Sequence, residues 1–140
     1  MVRVLATGTF DILHPGHLLY LEEAKKLGDE LFVIVARDVT VKKRKRTPII
    51  PEAQRLKMVS ALKMVDKAML GSEKDMYELL YSIKPDMIAI GYDQDFDEET
   101  LEKELRKRGF NTEVIRINKH NANIFCKAEE IIGYIKHLRK

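Results

Sequence analysis

Short apolar runs alternate with amphipathic stretches along the whole chain. Val2–Ala6, Leu31–Ala36, Lys67–Leu70, Met87–Ile90 and Thr112–Ile117 have the length and apolar content of strands. Between them, apolar residues recur at helical spacing. Leu18, Leu21, Ala24 and Leu27 predict a helix over His17–Leu27 that stops at Gly28. Leu56, Val59 and Leu62 predict one over Glu52–Lys63. Ser72 reads as the N-cap of a helix reaching Ile83, Glu98–Arg108 as a charged surface helix closed by Gly109, and Lys127–Leu138 as the last helix. Arg37–Pro51 is expected to be a long polar connection, because Pro48 and Pro51 oppose a helix there.

Strands too apolar to have a wet face, each followed by a helix, predict an α/β fold. The expectation is a Rossmann-like, doubly wound parallel sheet of five strands in a single domain over 1–140. Ligands of such sheets sit beyond the carboxyl ends of the strands. The chemistry is therefore expected just after Ala6, Ala36, Ile90 and Ile117. No repeat, linker or low-complexity segment interrupts the pattern.

Composition narrows the class. A hydrophobic share of 45% with 34% charged residues describes a folded chain, not a disordered one. No apolar run is long enough to cross a bilayer, and the first strand begins almost at Met1, so neither a membrane anchor nor a signal peptide is expected. The one cysteine, Cys126, cannot form an internal disulfide and fits a reducing, cytoplasmic setting. Net charge is only +3, yet five cations (Lys42, Lys43, Arg44, Lys45 and Arg46) fall in one run. They repel one another unless an anion neutralises them, so a triphosphate is a natural guest. A nucleic-acid binder would spread such charge over a face and interleave aromatics, which this run lacks.

The first strand ends in Thr7-Gly8-Thr9-Phe10-Asp11-Ile12-Leu13-His14-Pro15-Gly16-His17, which opens directly into a helix. Unpaired helix-end amides and a positive dipole end suit phosphate. His14 and His17 bracket Pro15-Gly16, so both imidazoles can donate to oxygens that gain charge during phosphoryl transfer. A metal held by His14, His17 and Asp11 is a weaker alternative, since further imidazole or thiolate ligands are lacking nearby. Arg55, one turn into its helix, is expected to reach back to the same phosphates. Asp93, in Gly91-Tyr92-Asp93-Gln94, suits ribose hydroxyls or a base amine, and Lys119-His120-Asn121 is placed to cover a base. No serine, lysine or cysteine stands in an activating arrangement beside the histidines, so direct attack by the substrate is favoured over a covalent enzyme intermediate.

Thr9-Phe10-Asp11 followed by His14-x-Gly16-His17 resembles the signature of the cytidylyltransferase-like nucleotidyltransferases. The basic run, Arg55 and Gly91-x-Asp93 follow in the expected order. Two branches look close: the glycerol-3-phosphate cytidylyltransferases, which use CTP, and the archaeal FAD synthases, which adenylylate FMN. The first motif, Val35-Ala36-Arg37-Asp38 and Gly91-Tyr92-Asp93-Gln94 look more like the second. That resemblance implies AMP transfer from ATP to FMN with release of pyrophosphate, a divalent cation such as Mg²⁺, and a homodimer. It implies ATP contacts from Thr9, Phe10, His14, Pro15, Gly16, His17, Asp93 and His120. His14, His17, Arg44 and Arg46 would be catalytic, with Lys43, Arg44, Arg46, Arg55 and Lys127 on the phosphates. One stretch departs from the family pattern. Phe125–Gly133 lacks the usual hydroxyls and carries Glu129 and Glu130 instead, a change that also fits a nucleotide-binding protein of reduced catalysis.

Overall fold

Every one of the five apolar runs forms a strand, and the strands are parallel throughout: β1 (Arg3–Gly8), β2 (Glu30–Val35), β3 (Lys67–Leu70), β4 (Met87–Ile90) and β5 (Glu113–Arg116). The computed structural model describes residues 1–44, 46–118 and 128–139. Strand order is β3-β2-β1-β4-β5. Successive crossovers run one way from β1 to β3, and β4–β5 occupy the other side. The order therefore switches between β1 and β4, where a crevice opens above the carboxyl ends.

Alternate residues of each strand serve opposite faces. Val4 and Ala6 of β1, with Leu31, Val33 and Val35 of β2, pack on Leu21 and Ala24 of α1 (Pro15–Lys26) and Val59 of α3 (Glu52–Ser60). Leu5, Ile88, Ile90 and Val114 face the other way. They pack on Leu80 and Ile83 of α4 (Leu80–Ile83) and on Leu101 and Leu105 of α5 (Glu98–Lys107). The sheet is thus covered on both faces, as a parallel sheet requires. The last helix is α6 (Ala128–Leu138).

Three local expectations are corrected. Arg37–Pro51 is not helix-free: it holds α2 (Asp38–Lys43), which ends before either proline. Its first amide, Asp38 N–H, donates to Glu52 Oε1 of α3 at 2.9 Å, a cap supplied from fourteen residues away. Ser72 does not cap a helix running to Ile83. Its Oγ accepts from Lys74 N–H at 3.2 Å, but the chain continues as turns until α4. Asp75 diverts it by accepting from Tyr77 N–H at 3.0 Å, a side-chain turn that competes with helix. Finally, α1 starts at Pro15 rather than His17, because proline at the first helical position loses no hydrogen bond.

Candidate active site

β1 runs two residues past its expected end, to Gly8, and the chain then turns sharply. Phe10 (φ 56°) and Ile12 (φ 48°) both adopt the left-handed region, which is costly for an L-residue and most unusual for a β-branched one. The surroundings hold them there. The Phe10 ring packs over Gly8, where an added Cβ would lie 3.0 Å from it. Asp11, 5% exposed, accepts from Ile49 and Ile50 N–H, each at 2.9 Å. Both of its oxygens are therefore committed to the loop that precedes α3. This carboxylate fastens the segment after the basic run to the first motif.

The two histidines cap α1 and each other. His14 is the N-cap, and its Nδ1 accepts from Gly16 N–H at 3.1 Å, while His17 Nδ1 accepts from His14 N–H at 3.2 Å. With both Nδ1 atoms acting as acceptors, each neutral ring carries its proton on Nε2. The rings stack, with centroids 3.7 Å apart and 21° between planes, and Phe10 lies 5.3 Å from His17. Burial, and secondarily the neighbouring His14, lower the His17 pKa to about 3. At neutral pH His17 is an uncharged hydrogen-bond donor.

This state has a consequence for stability. Unfolded His17 binds a proton below about pH 6.5, whereas the native ring stays neutral until about pH 3. Across that window the unfolded state holds more protons, so native stability falls as the pH is lowered from 6.5 toward 3. Thermal unfolding of the protein and of His17→Gln, compared from pH 7 to 4.5, should show a smaller acid loss in the variant. Parallel curves would contradict the neutral, buried ring.

Below the motif, the Tyr20 hydroxyl bridges the switch point. It donates to Ala89 O at 2.6 Å and accepts from Thr7 N–H at 3.2 Å, joining β1 to β4. Burial holds its pKa well above the ordinary phenol value, with the charge of Asp93 contributing. The loop after β4 is secured twice. Gln94 accepts from Gly91 N–H at 2.9 Å and donates to Thr7 O at 2.7 Å. Arg116, at the end of β5, donates to the carbonyls of Gly91 at 2.9 Å and Gln94 at 3.0 Å, and to Phe96 O. It also pairs with Glu98 at 2.6 Å, which holds the Glu98 carboxyl below its usual range.

A cavity of about 930 Å³ lies over these elements, at the upper end of the range for small-molecule sites. It brings together Thr9, Phe10, His14, Gly16, His17, Arg44, Arg46 and Asp93 from the expected set. Pro15 and Lys43 are not in its walls, and Pro15 instead starts α1. His120 and Lys127 lie outside the described residues. Arg55 is corrected. At 1% exposure it lies beneath the site, donating to Ile50 O at 2.8 Å, to Thr9 O and Ala36 O at 2.7 Å, and to Asp38 at 2.6 Å. It is a strut, fully engaged by the protein.

Sequence reasoning missed Tyr20, Gln94, Arg116 and Glu129. The first three act on backbone groups brought together by the fold, so nothing in their local pattern marks them. Glu129 was noticed only as part of a departure. It lines the cavity, and its Oε1 pairs with Arg46 at 3.2 Å. Among the described residues no cluster of three or more His, Cys, Asp or Glu could hold a metal, and no helix is long and apolar enough to cross a membrane.

Comparison with known proteins agrees with this geometry. Residues 5–134 match the cytidylyltransferase-like family model. The FAD synthase of Archaeoglobus profundus is 61% identical over 96% of this chain and 86% of its own length. That of Methanosarcina mazei is 62% identical over 94% and 87%. Among solved structures, the lipopolysaccharide core biosynthesis protein from Thermoplasma volcanium superposes with a TM-score of 0.84 at 51% identity. It covers 86% of this chain and 99% of that one. The pantoate-beta-alanine ligase of Francisella tularensis, 19% identical with a TM-score of 0.59 over 99% of this chain and 71% of its own, shares the fold.

Proposed function

The chain belongs to the cytidylyltransferase-like family and is a nucleotidyltransferase, and on that premise we propose that it adenylylates FMN, forming FAD and pyrophosphate from ATP. The observation that carries the substrate choice is the extent of likeness to the FAD synthases, above 60% identity over nearly the whole chain. The phosphate oxygen of FMN attacks the α-phosphorus of ATP in line, the new P–O–P bond forms, and the bond to the β-phosphate breaks as pyrophosphate leaves. An ionised phosphate nucleophile needs no strong base, which agrees with the neutral histidines. Their Nε2–H groups donate to the α-phosphate oxygens as charge gathers there, while Arg44 and Arg46 hold the departing phosphates. Asp93 takes the nucleoside.

A divalent cation fits this site as a companion of the triphosphate and not as a resident. Asp11 and both Nδ1 atoms are committed to backbone amides and Glu129 is paired with Arg46, leaving Asp93 and Asp95 in the cavity wall for an ion whose other ligands would be phosphate oxygens and water. Such an ion neutralises charge on the leaving pyrophosphate; we take Mg²⁺ as the natural candidate. A cytoplasmic setting and a homodimer remain part of the same reading.

The deciding assay compares pyrophosphate release with FMN plus ATP against glycerol 3-phosphate plus CTP. FAD formation in the first pair is the expected result, and release only in the second would replace the substrates while keeping the chemistry. Glu129 supplies a second check. It competes with phosphate for Arg46, and an exposed ion pair contributes ~0.2–1 kcal/mol. Glu129→Gln should therefore lower the KM for ATP by up to roughly fivefold. A higher KM would mean that Glu129 assists nucleotide binding.

A further inference from the structure

A second, smaller cavity of about 50 Å³ lies on the α4–α5 side of the sheet, across from the histidines. Its walls include Leu5 of β1, Ile34 of β2, Leu80 of α4, Ile88 of β4 and Leu101 of α5. Apart from Thr7 and Tyr77, every wall residue is aliphatic, a thioether or phenylalanine. Thr7, Ile34, Met76 and Phe96 line both this slot and the main cavity, so it is a side branch of the site.

Size and chemistry together select what enters. One water-sized probe needs about 10–15 Å³, so the slot takes a few heavy atoms and excludes a whole ring system or a phosphate. Burying a ring nitrogen there without a partner would cost on the order of 1–3 kcal/mol, which excludes the edges of adenine. The isoalloxazine of FMN has one edge that is purely hydrocarbon, the benzenoid edge bearing two methyl groups. Resting on the substrate reading above, we propose that this slot receives that dimethylbenzene edge. The ring then lies between Met76 and Phe96, with its polar edge in the main cavity. The ribityl chain crosses the carboxyl ends of β1 and β4 toward His14 and His17. Leu80 and Ile88, remote from the phosphates, thereby become residues that set acceptor specificity.

The test compares FMN with the analogue that lacks both ring methyl groups but keeps the ring, ribityl chain and phosphate. Burial of a methyl is worth about fourfold in affinity, so the unaltered protein should show a KM for the analogue on the order of tenfold higher than for FMN, with the KM for ATP unchanged. Leu80→Phe fills the slot from α4. It should raise the KM for FMN to that of the analogue while leaving the analogue's own KM within about twofold. The comparison on the unaltered protein stands even if that variant folds poorly. Adenylylation of both flavins with equal KM would overturn the slot and leave the FMN reading intact. Discrimination that survives undiminished in a folded Leu80→Phe protein would also overturn it. Adenylylation of neither flavin would overturn the substrate reading itself, and the slot assignment with it.

Discussion

Replacing His17 with alanine is expected to lower kcat by roughly 10²–10³-fold while the dissociation constant for ATP changes only a few-fold. The geometry separates the two effects. In the proposed complex ground-state ATP would be held by several groups at once: Arg44, Arg46 and the Asp93 loop, all in the cavity wall. The imidazole Nε2–H matters most when negative charge moves onto the oxygens of the reacting phosphate, so its loss falls on the transition state. His14→Ala should behave alike, with an added loss of ~1 kcal/mol of stability because His14 is also the N-cap. Single-turnover rates at saturating ATP, with ATP affinity measured separately by calorimetry, are the check. Parallel loss of rate and affinity would make the histidines ground-state ligands. Because each Nδ1 is held by a backbone amide, an asparagine at either position keeps a capping acceptor but moves the donor. Asn variants should therefore recover stability more than rate.

The second large effect is expected at Arg55, and it falls on folding. Arg55→Ala should destabilise the protein by about 3–5 kcal/mol, since it strands a carboxylate and three carbonyls that one buried guanidinium now satisfies. For a chain of this size the midpoint of thermal unfolding should fall by roughly 10 °C or more. Lysine should rescue little. Its ammonium has three donors on a flexible stem and cannot reproduce a planar fork that reaches Thr9, Ala36, Asp38 and Ile50 together. A variant with unchanged thermal stability but weakened ATP binding would restore the role of phosphate ligand that the spacing alone suggested.

Why that expectation and the structure differ is instructive. Position in the chain placed Arg55 correctly, one turn into α3 and near the first motif. A charged residue near a basic loop reads as surface, because burying an arginine is rare unless it is paired. The pairing here comes from three segments, around Thr9, Ala36–Asp38 and Ile50, that meet only in the folded chain. Arg116 repeats the pattern: its acceptors lie 18–25 residues earlier, in the loop after β4 and at the start of α5. Helix α2 is a third instance, capped by Glu52 across a connection whose two prolines argued against a helix.

What the sequence determined by itself is the class of fold and the sheet edge at which the cavity opens. Period and length of the apolar runs are local properties of consecutive residues, and they were sufficient for five strands in alternation with helices. His14, His17, Gly8 and Asp93 could be found because a strand end or a helix start imposes a local demand on residue type. The tertiary structure alone decided which polar groups serve the ligand and which serve the frame. Asp11, Arg55, Tyr20 and Arg116 carry the same functional groups as catalytic residues, yet each is taken up by backbone atoms distant in sequence. The hydrocarbon slot is likewise a property of packing between two helices and three strands. Hydrogen bonding and cavity shape depend on which atoms meet in space, and that depends on the order β3-β2-β1-β4-β5, which no local period encodes.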